Sequence, residues 1–347
     1  LNMSKTLSLK NEVIVASAGS RKTTLIVERA LSLREKKTLI VAYTNENLDQ
    51  IRSYLIEKNG HIPKNITILS WYAFLLQDGV RPYQSLVTER GRIRSINFAD
   101  IPVSASRVKR SDIDRYYLTK SNNIYRDRVA DFVCQVDGTT KESIVRRLER
   151  IYDCIFIDEF QDLAAYDLDI VDKLFNSSIS IVAVGDPRQS TFRTNNSAKN
   201  SKYKKSGILD WISDRQKKQL IAVTEMVDCF RCNQAICDFA DSLYPDLPKT
   251  NSKSNISTDH DGVFCVETAD VLDYVAKYSP VVLRNSKSVN TMNLPAINIG
   301  MTKGRTYNRV LIFPTKPMIE YFFKRNVKTA GDIARLYAAV TRARHSG

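Results

Sequence analysis

Cysteine is scarce and unpatterned: Cys134, Cys154, Cys229, Cys232, Cys237 and Cys265 are the only six in 347 residues. Several fall inside apolar strand-like or helix-like runs, which favours reduced thiols over a disulfide framework. Cys229 and Cys232 have the two-residue spacing of a metal knuckle, with Cys237 nearby, but no second pair or neighbouring histidine completes a zinc site. Long apolar runs are also missing. No segment approaches the roughly 18 uninterrupted apolar residues of a spanning helix, and Leu1 to Lys10 carry no signal-peptide pattern. A soluble, cytoplasmic protein with no membrane partner is expected. Acidic residues are in deficit, 38 against 52 Lys and Arg, which leaves a formal charge of +14. Such a surface attracts polyanions, nucleic acid foremost. At 43% hydrophobic residues the chain is not disordered, and its length suits two domains with full cores.

What is present centres on Ile155 to Asp162, Ile-Phe-Ile-Asp-Glu-Phe-Gln-Asp. The apolar run Cys154 to Ile157 shows no alternation, as expected of a strand buried on both faces of a parallel sheet. Ligands in such sheets bind beyond the carboxyl ends of the strands. Asp158 is therefore a candidate to hold Mg²⁺ and Glu159 to orient a water, although an acidic turn after a core strand explains the pair equally well in isolation.

Upstream, the strand Val13 to Val15 runs into Ala16-Ser17-Ala18-Gly19-Ser20-Arg21-Lys22-Thr23-Thr24 and then a helical pattern. Strand, loop and helix in that order make a phosphate site. Backbone amides from Ala18 to Thr24 would cradle phosphates, Lys22 would reach the β/γ oxygens, and the Thr23 hydroxyl would join Asp158 on the metal. Ala16 and Arg21 stand where this pattern has glycines. The Arg21 change is the more serious, because a Cβ restricts the backbone and its bulky side chain must leave the nucleotide path.

The strand Thr38 to Tyr43 ends in Thr44-Asn45, and the strand Ile66 to Leu69 ends in Ser70-Trp71-Tyr72-Ala73-Phe74. Polar groups and aromatics at strand ends suit phosphate contacts and base stacking, while caps and core aromatics are the plain alternative. From Gln77 to Thr140 the alternation breaks down into a basic, tyrosine-bearing insertion, either a nucleic-acid grip or a solvated basic face. Ile179 to Val184 is a further buried strand ending in Gly185-Asp186-Pro187-Arg188-Gln189. Polar chemistry at the ends of successive strands converges on one sheet edge.

These motifs resemble those of UvrD/Rep-type superfamily 1 DNA helicases, and the family's later motifs follow in order. Cys229-Phe230-Arg231 stands where the family has Asn-Tyr-Arg. Thr302-Lys303-Gly304 resembles its coupling motif, and Arg335 to Arg344 its closing motif. Strands Val263 to Glu267, Pro280 to Leu283 and Ala296 to Ile299 are expected between them. The resemblance implies ATP and Mg²⁺ as cofactors and an α/β fold of two tandem RecA-like P-loop NTPase domains with parallel sheets, the first interrupted by the basic insertion. Residues 1–76 and 141–217 would form the first domain, 77–140 the insertion and 218–347 the second, with ATP in the cleft between the domains. It further implies that Thr44, Asn45, Ser70, Trp71 and Phe74 contact single-stranded DNA, that Gln189 senses the γ-phosphate, and that Arg231 and Arg342 approach it as cationic groups. Gly304 would lie at the nucleotide, Thr302 and Lys303 on DNA.

Departures from the family pattern are specific. No Gln precedes residue 25, so the family's adenine-reading Gln is missing. After Gln189 the usual run is replaced by Thr191-Phe192-Arg193-Thr194-Asn195, which leaves Phe192 as the base-stacking ring. Thr306 and Gly300 stand where Glu and His are usual. Only Cys232 to Thr302 separates two motif groups, too little for the large family insertion, and the sequence stops at Gly347, so a compact or truncated protein is expected. The reading is a 3′ to 5′ DNA translocase or helicase acting on single-stranded or tailed double-stranded DNA. The alternative is an ATP-gated subunit in repair or phage defence, beside a nuclease or another protein.

Overall fold

The computed structural model describes residues 10–191, 194–203, 207–324 and 330–347. The chain divides into two compact units. One comprises residues 1–14, 23–185 and 193–224, the other residues 15–22, 186–192 and 225–347.

The first unit is built on β1 (Asn11–Ala16), α1 (Lys22–Ser32), β2 (Thr38–Ala42), α2 (Asn45–Asn59), β3 (Ile66–Ser70) and α3 (Trp71–Phe74). After it come β4 (Ile96–Asn97), α4 (Val103–Ser106), α5 (Ile113–Tyr117), β5 (Ile124–Tyr125), α6 (Val129–Thr139) and α7 (Ser143–Ile151). The unit continues with β6 (Cys154–Asp158), α8 (Tyr166–Phe175), β7 (Ser180–Gly185), α9 (Ile208–Lys217) and β8 (Ala222–Met226). Its sheet has the order β3-β2-β6-β7-β1-β8, and the pairs β2-β3, β2-β6 and β6-β7 are parallel. Every residue of β2 and β6 is buried, which is why neither shows alternation.

The insertion is not a free-standing body. Helix α6 packs against α8, where Lys173 Nζ lies 2.9 Å from the buried Asp137 carboxylate. Its tyrosines build its own interior. Tyr117 and Tyr125 are buried, and Arg128 lies over the Tyr116 ring at 3.9 Å while donating to Ala105 O at 2.9 Å. The arginines Arg90, Arg92, Arg94 and Arg107 are exposed.

The second unit continues with β9 (Asp228–Cys229), α10 (Gln234–Ser242), β10 (Asn251–Ser252), α11 (Val271–Tyr278), β11 (Val281–Arg284), β12 (Ala296–Asn298), β13 (Tyr307–Phe313), α12 (Lys316–Lys324), α13 (Ala330–Val340) and β14 (Ala343–Ser346). Its main sheet, β12-β11-β13-β14, is parallel throughout. The core gathers Ile236, Leu283, Val310, Met318, Leu336 and Tyr337. The strand expected over Val263 to Glu267 does not form. That segment is extended and holds β14 through Gly262 N to His345 O (2.8 Å) and Phe264 N to Gly347 O (3.0 Å), too few rungs for a strand. The parallel α/β architecture read from the sequence is otherwise the one observed.

Candidate functional site

The loop Ala16 to Thr24 turns sharply because two of its positions, separated by one residue, adopt left-handed backbone. Gly19 has φ +72° and Arg21 φ +62°. Gly19 is required twice over, since a Cβ there would lie 2.7 Å from Cys229 Sγ and 2.8 Å from Arg231 Cβ. Arg21 carries a Cβ into the same region at a cost of about 1–2 kcal/mol, and its guanidinium turns onto the Phe230 ring, 3.9 Å from the centroid. Lys22 opens α1 and Thr23 and Thr24 follow, all half-buried. Phe230 N donates to Gly19 O at 3.0 Å, so the Cys229-Phe230-Arg231 segment is stitched to the loop.

The loop suits a polyanionic ligand. Ser20 is 1% exposed, and its Oγ is buried with no hydrogen-bond partner among the described residues, as a group awaiting a ligand would be. The first amides of α1 have no intrahelical acceptors, as at any helix start, and so favour anions. Of the other cofactor candidates, Gly304 has φ +80° in a turn closed by Arg305 N to Thr302 O at 2.9 Å. Among the described residues no three His, Cys, Asp or Glu side chains are grouped to hold a metal. An ion held by Thr23, Asp158 and phosphate oxygens would not need such a group.

Around the loop, the second unit assembles a buried polar network. Gln189 Nε2 donates to Asp186 Oδ2 at 2.9 Å, and Arg342 Nη2 donates to Gln189 Oε1 at 2.6 Å. Arg342 also donates from Nε to Ala338 O at 3.0 Å. Arg231 Nη1 reaches Thr341 O at 3.0 Å, one residue before Arg342. Three of its members, Asp186, Arg188 and Tyr337, lie in motifs of the sequence that gave them no role of their own. Arg188 is 3% exposed and donates to Pro248 O at 3.0 Å. Burial alone would lower its pKa, but Tyr337, Asp186 and Asp241 raise it above the usual value. Asp186 stands in the motif already singled out and Tyr337 in the closing motif, so position in a motif was the available signal.

Beside the loop, Cys229, Cys232 and Cys237 are buried free thiols. Cys229 Sγ accepts from Cys232 N at 3.3 Å and from the Cys232 and Cys237 thiols, which hold its pKa well down, while donation to Cys229 holds that of Cys237 up.

In the first unit, Asp158 ends β6, is 4% exposed and accepts from Glu159 N at 2.9 Å. Glu159 has φ +54° and accepts from Gln161 Nε2. Gly185 is needed at the end of β7 because a Cβ would lie 3.1 Å from Gln161 N and 3.2 Å from Phe160 N.

Of the strand-end residues expected on DNA, Thr44, Ser70, Trp71 and Phe74 have partners or places within the fold. Thr44 Oγ1 caps α2 by accepting from Asn47 N at 3.2 Å, and Ser70 Oγ caps α3 by accepting from Ala73 N at 3.0 Å. Asn45 is exposed. Trp71 and Phe74, expected to stack on bases, are instead core residues at 1% and 2% exposure, their rings 5.6 Å apart, with Trp71 Nε1 donating to Asp167 Oδ1 at 2.8 Å. Asp167 is fully enclosed and also accepts from Thr194 Oγ1; burial pushes its pKa up to about 6. The ring left outward at this edge is Phe98 of the insertion, 56% exposed and edge-on to Tyr72 at 5.3 Å. Thr302 is buried and donates to Ile299 O at 2.7 Å, Lys303 is half-buried, and Phe192 lies outside the described residues.

Comparison with known proteins gives one family match. Residues 83–206 match the model of the UvrD/REP helicase N-terminal domain, a stretch that holds most of the insertion and the motifs at Asp158 and Gln189. No curated protein matches the sequence. Solved structures similar to the chain include the PRRSV helicase (15% identity, TM-score 0.46, covering 97% of this chain and 51% of that one). Another is the arterivirus nonstructural protein 10 helicase in complex with DNA (14%, TM-score 0.49, covering 97% and 59%). The chain thus spans between half and three-fifths of the length of these helicases. Residues 83–206 of the chain are thus similar to the N-terminal domain of UvrD/REP helicases.

Proposed function

We propose that the protein is an ATP-dependent motor on single-stranded DNA, a translocase or helicase running 3′ to 5′. The single observation that carries this reading is the Arg342–Gln189 hydrogen bond in the unit that also holds the loop Ala18 to Lys22. Gln189 and Arg342 come from two of the motifs, 153 positions apart, and meet in one buried network, as residues serving one site would. Bound Mg²⁺-ATP would supply a γ-phosphoryl group for transfer to water. Toward it, the loop amides and Lys22 bind phosphate oxygens, Thr23 and Asp158 hold the metal, and Glu159 orients the water. Arg231 and Arg342 neutralise charge that develops on the transferred group, which is where an arginine contributes most. The +14 charge and exposed insertion arginines supply backbone attraction for DNA.

The alternative, an ATP-gated DNA-binding or regulatory subunit with a protein partner, is favoured by one feature. Arg21 in left-handed backbone against Phe230 makes an unusual phosphate loop. ATP hydrolysis with and without single-stranded DNA, followed by strand displacement on a tailed duplex, separates the two. The motor shows DNA-stimulated hydrolysis and displacement, whereas the gate shows hydrolysis or binding without displacement.

A further inference from the structure

The Tyr337 hydroxyl uses its whole hydrogen-bonding capacity in one place. It accepts from Ala18 N at 3.2 Å and from Arg188 Nη1 at 3.4 Å, and donates to Asp186 Oδ2 at 3.2 Å. One donor and two acceptor sites are all that a phenol has. The ring is 1% exposed in the core beside α10, packed edge-on against Tyr244 at 5.6 Å, so it does not swing. Burial and the Asp186 carboxylate raise its pKa well above the usual value, so the hydroxyl keeps its proton at neutral pH.

Its partners form an unbroken chain. Ala18, in the phosphate loop, donates to Tyr337; Tyr337 donates to Asp186; Asp186 accepts from Gln189 at 2.9 Å; Gln189 accepts from Arg342 at 2.6 Å. Arg188 braces the middle of it through Pro248 O and Thr250 Oγ1. We propose that Tyr337 is a positioning residue that ties the phosphate loop at Ala18 to the Gln189–Arg342 pair, so that a change at either end is felt at the other. The role rests on the ATPase reading of this site. An apolar core position could be filled by Phe with the same ring packing; the hydroxyl is there for its polar partners.

The test removes that oxygen alone. In Tyr337→Phe, hydrogen exchange of the Ala18 amide, followed without nucleotide, is expected to rise about tenfold or more while β6 amides stay unchanged. In Gln189→Ala, which does not touch Ala18, exchange there is expected to rise at least about threefold, because the tether loosens along its length. Steady-state kinetics then reads the function: Tyr337→Phe lowers kcat about tenfold with KM for ATP within about twofold, and adding it to Gln189→Ala causes no further loss. Unchanged Ala18 exchange in either variant, multiplying losses in the double variant, or a raised KM with normal kcat overturns the proposal. A wild-type protein that hydrolyses no ATP would overturn the ATPase reading instead, and the exchange measurements would still decide whether the tether exists.

Discussion

Arg342 Nη2 donates to Gln189 Oε1 at 2.6 Å, and the two residues are 3% and 4% exposed. A charge buried to this degree must be held by several acceptors, and Ala338 O and Arg305 O are two more. Arg342→Ala is therefore expected to lower DNA-stimulated turnover by about 10³-fold or more while DNA affinity changes little. Arg342→Lys does not rescue, because one ammonium cannot replace a planar fork reaching three acceptors. Turnover assays and DNA titrations on the same preparations check both statements, and retained hydrolysis in Arg342→Ala removes the assigned role.

Glu159 sits at φ +54° immediately after the buried end of β6, with its carboxylate held by Gln161. Glu159→Gln keeps the size and removes the negative charge that would orient and deprotonate a water. Nucleotide binding is expected to persist and single-turnover hydrolysis to fall by about 10²- to 10⁴-fold. Binding by a fluorescent ATP analogue and rapid-quench hydrolysis measure the two separately.

Gly19→Ala meets two obstacles at once, Cys229 Sγ at 2.7 Å and Arg231 Cβ at 2.8 Å, at a φ that L side chains rarely adopt. The loop or the Cys229-Phe230-Arg231 segment has to move. A loss of about 1–3 kcal/mol in stability is expected, read as a lowered denaturation midpoint, together with weakened nucleotide binding. Wild-type stability and binding in this variant would mean the close approach is not real.

Arg21 is the opposite case, a side chain where glycine would relax the backbone. Replacing it loses its contact with Phe230, worth about 0.5–1 kcal/mol at an exposed site. The two effects are expected to cancel in Arg21→Gly. In a Phe230→Ala background, where no ring remains, Arg21→Gly is expected to stabilise by about 1 kcal/mol. Chemical denaturation of the four proteins in the cycle gives the answer.

Much of this was legible in the sequence, and the reason is specific. β2 and β6 are buried on both faces, so they are apolar runs without alternation, and their ends are marked where polar residues begin, at Thr44 and Asp158. Exposure was not legible. Trp71 and Phe74 follow a strand as a DNA-facing pair would, but an aromatic after a strand reads the same whether it turns out or in; Asp167, 96 residues from Trp71, decides the matter. Tyr337 escaped for a similar cause, since its meaning lies in a hydrogen bond to Ala18 across 319 positions. Val263 to Glu267 has the residues of a strand without the pairing of one.

Asp167 gives a pH-dependent prediction. Burial raises its folded pKa to about 6, above the ordinary carboxylate range. The folded state then binds more protons than the unfolded state between those values. Its contribution to stability is fully present below about pH 4 and lost as pH rises through 6. Asp167→Asn has no such titration, so the stability of the wild type relative to that variant is expected to fall between pH 4 and 7. Paired thermal melts across that window measure it, and a constant difference rules out a raised pKa at this site.

The central claim is that one nucleotide-hydrolysing site is coupled to DNA. Steady-state ATP hydrolysis by the wild-type chain, with and without single-stranded DNA at two salt concentrations, tests it most directly. Hydrolysis stimulated by DNA at least about tenfold, with the stimulating DNA concentration rising steeply with salt, is the predicted result. Hydrolysis indifferent to DNA, or none at all, contradicts the account.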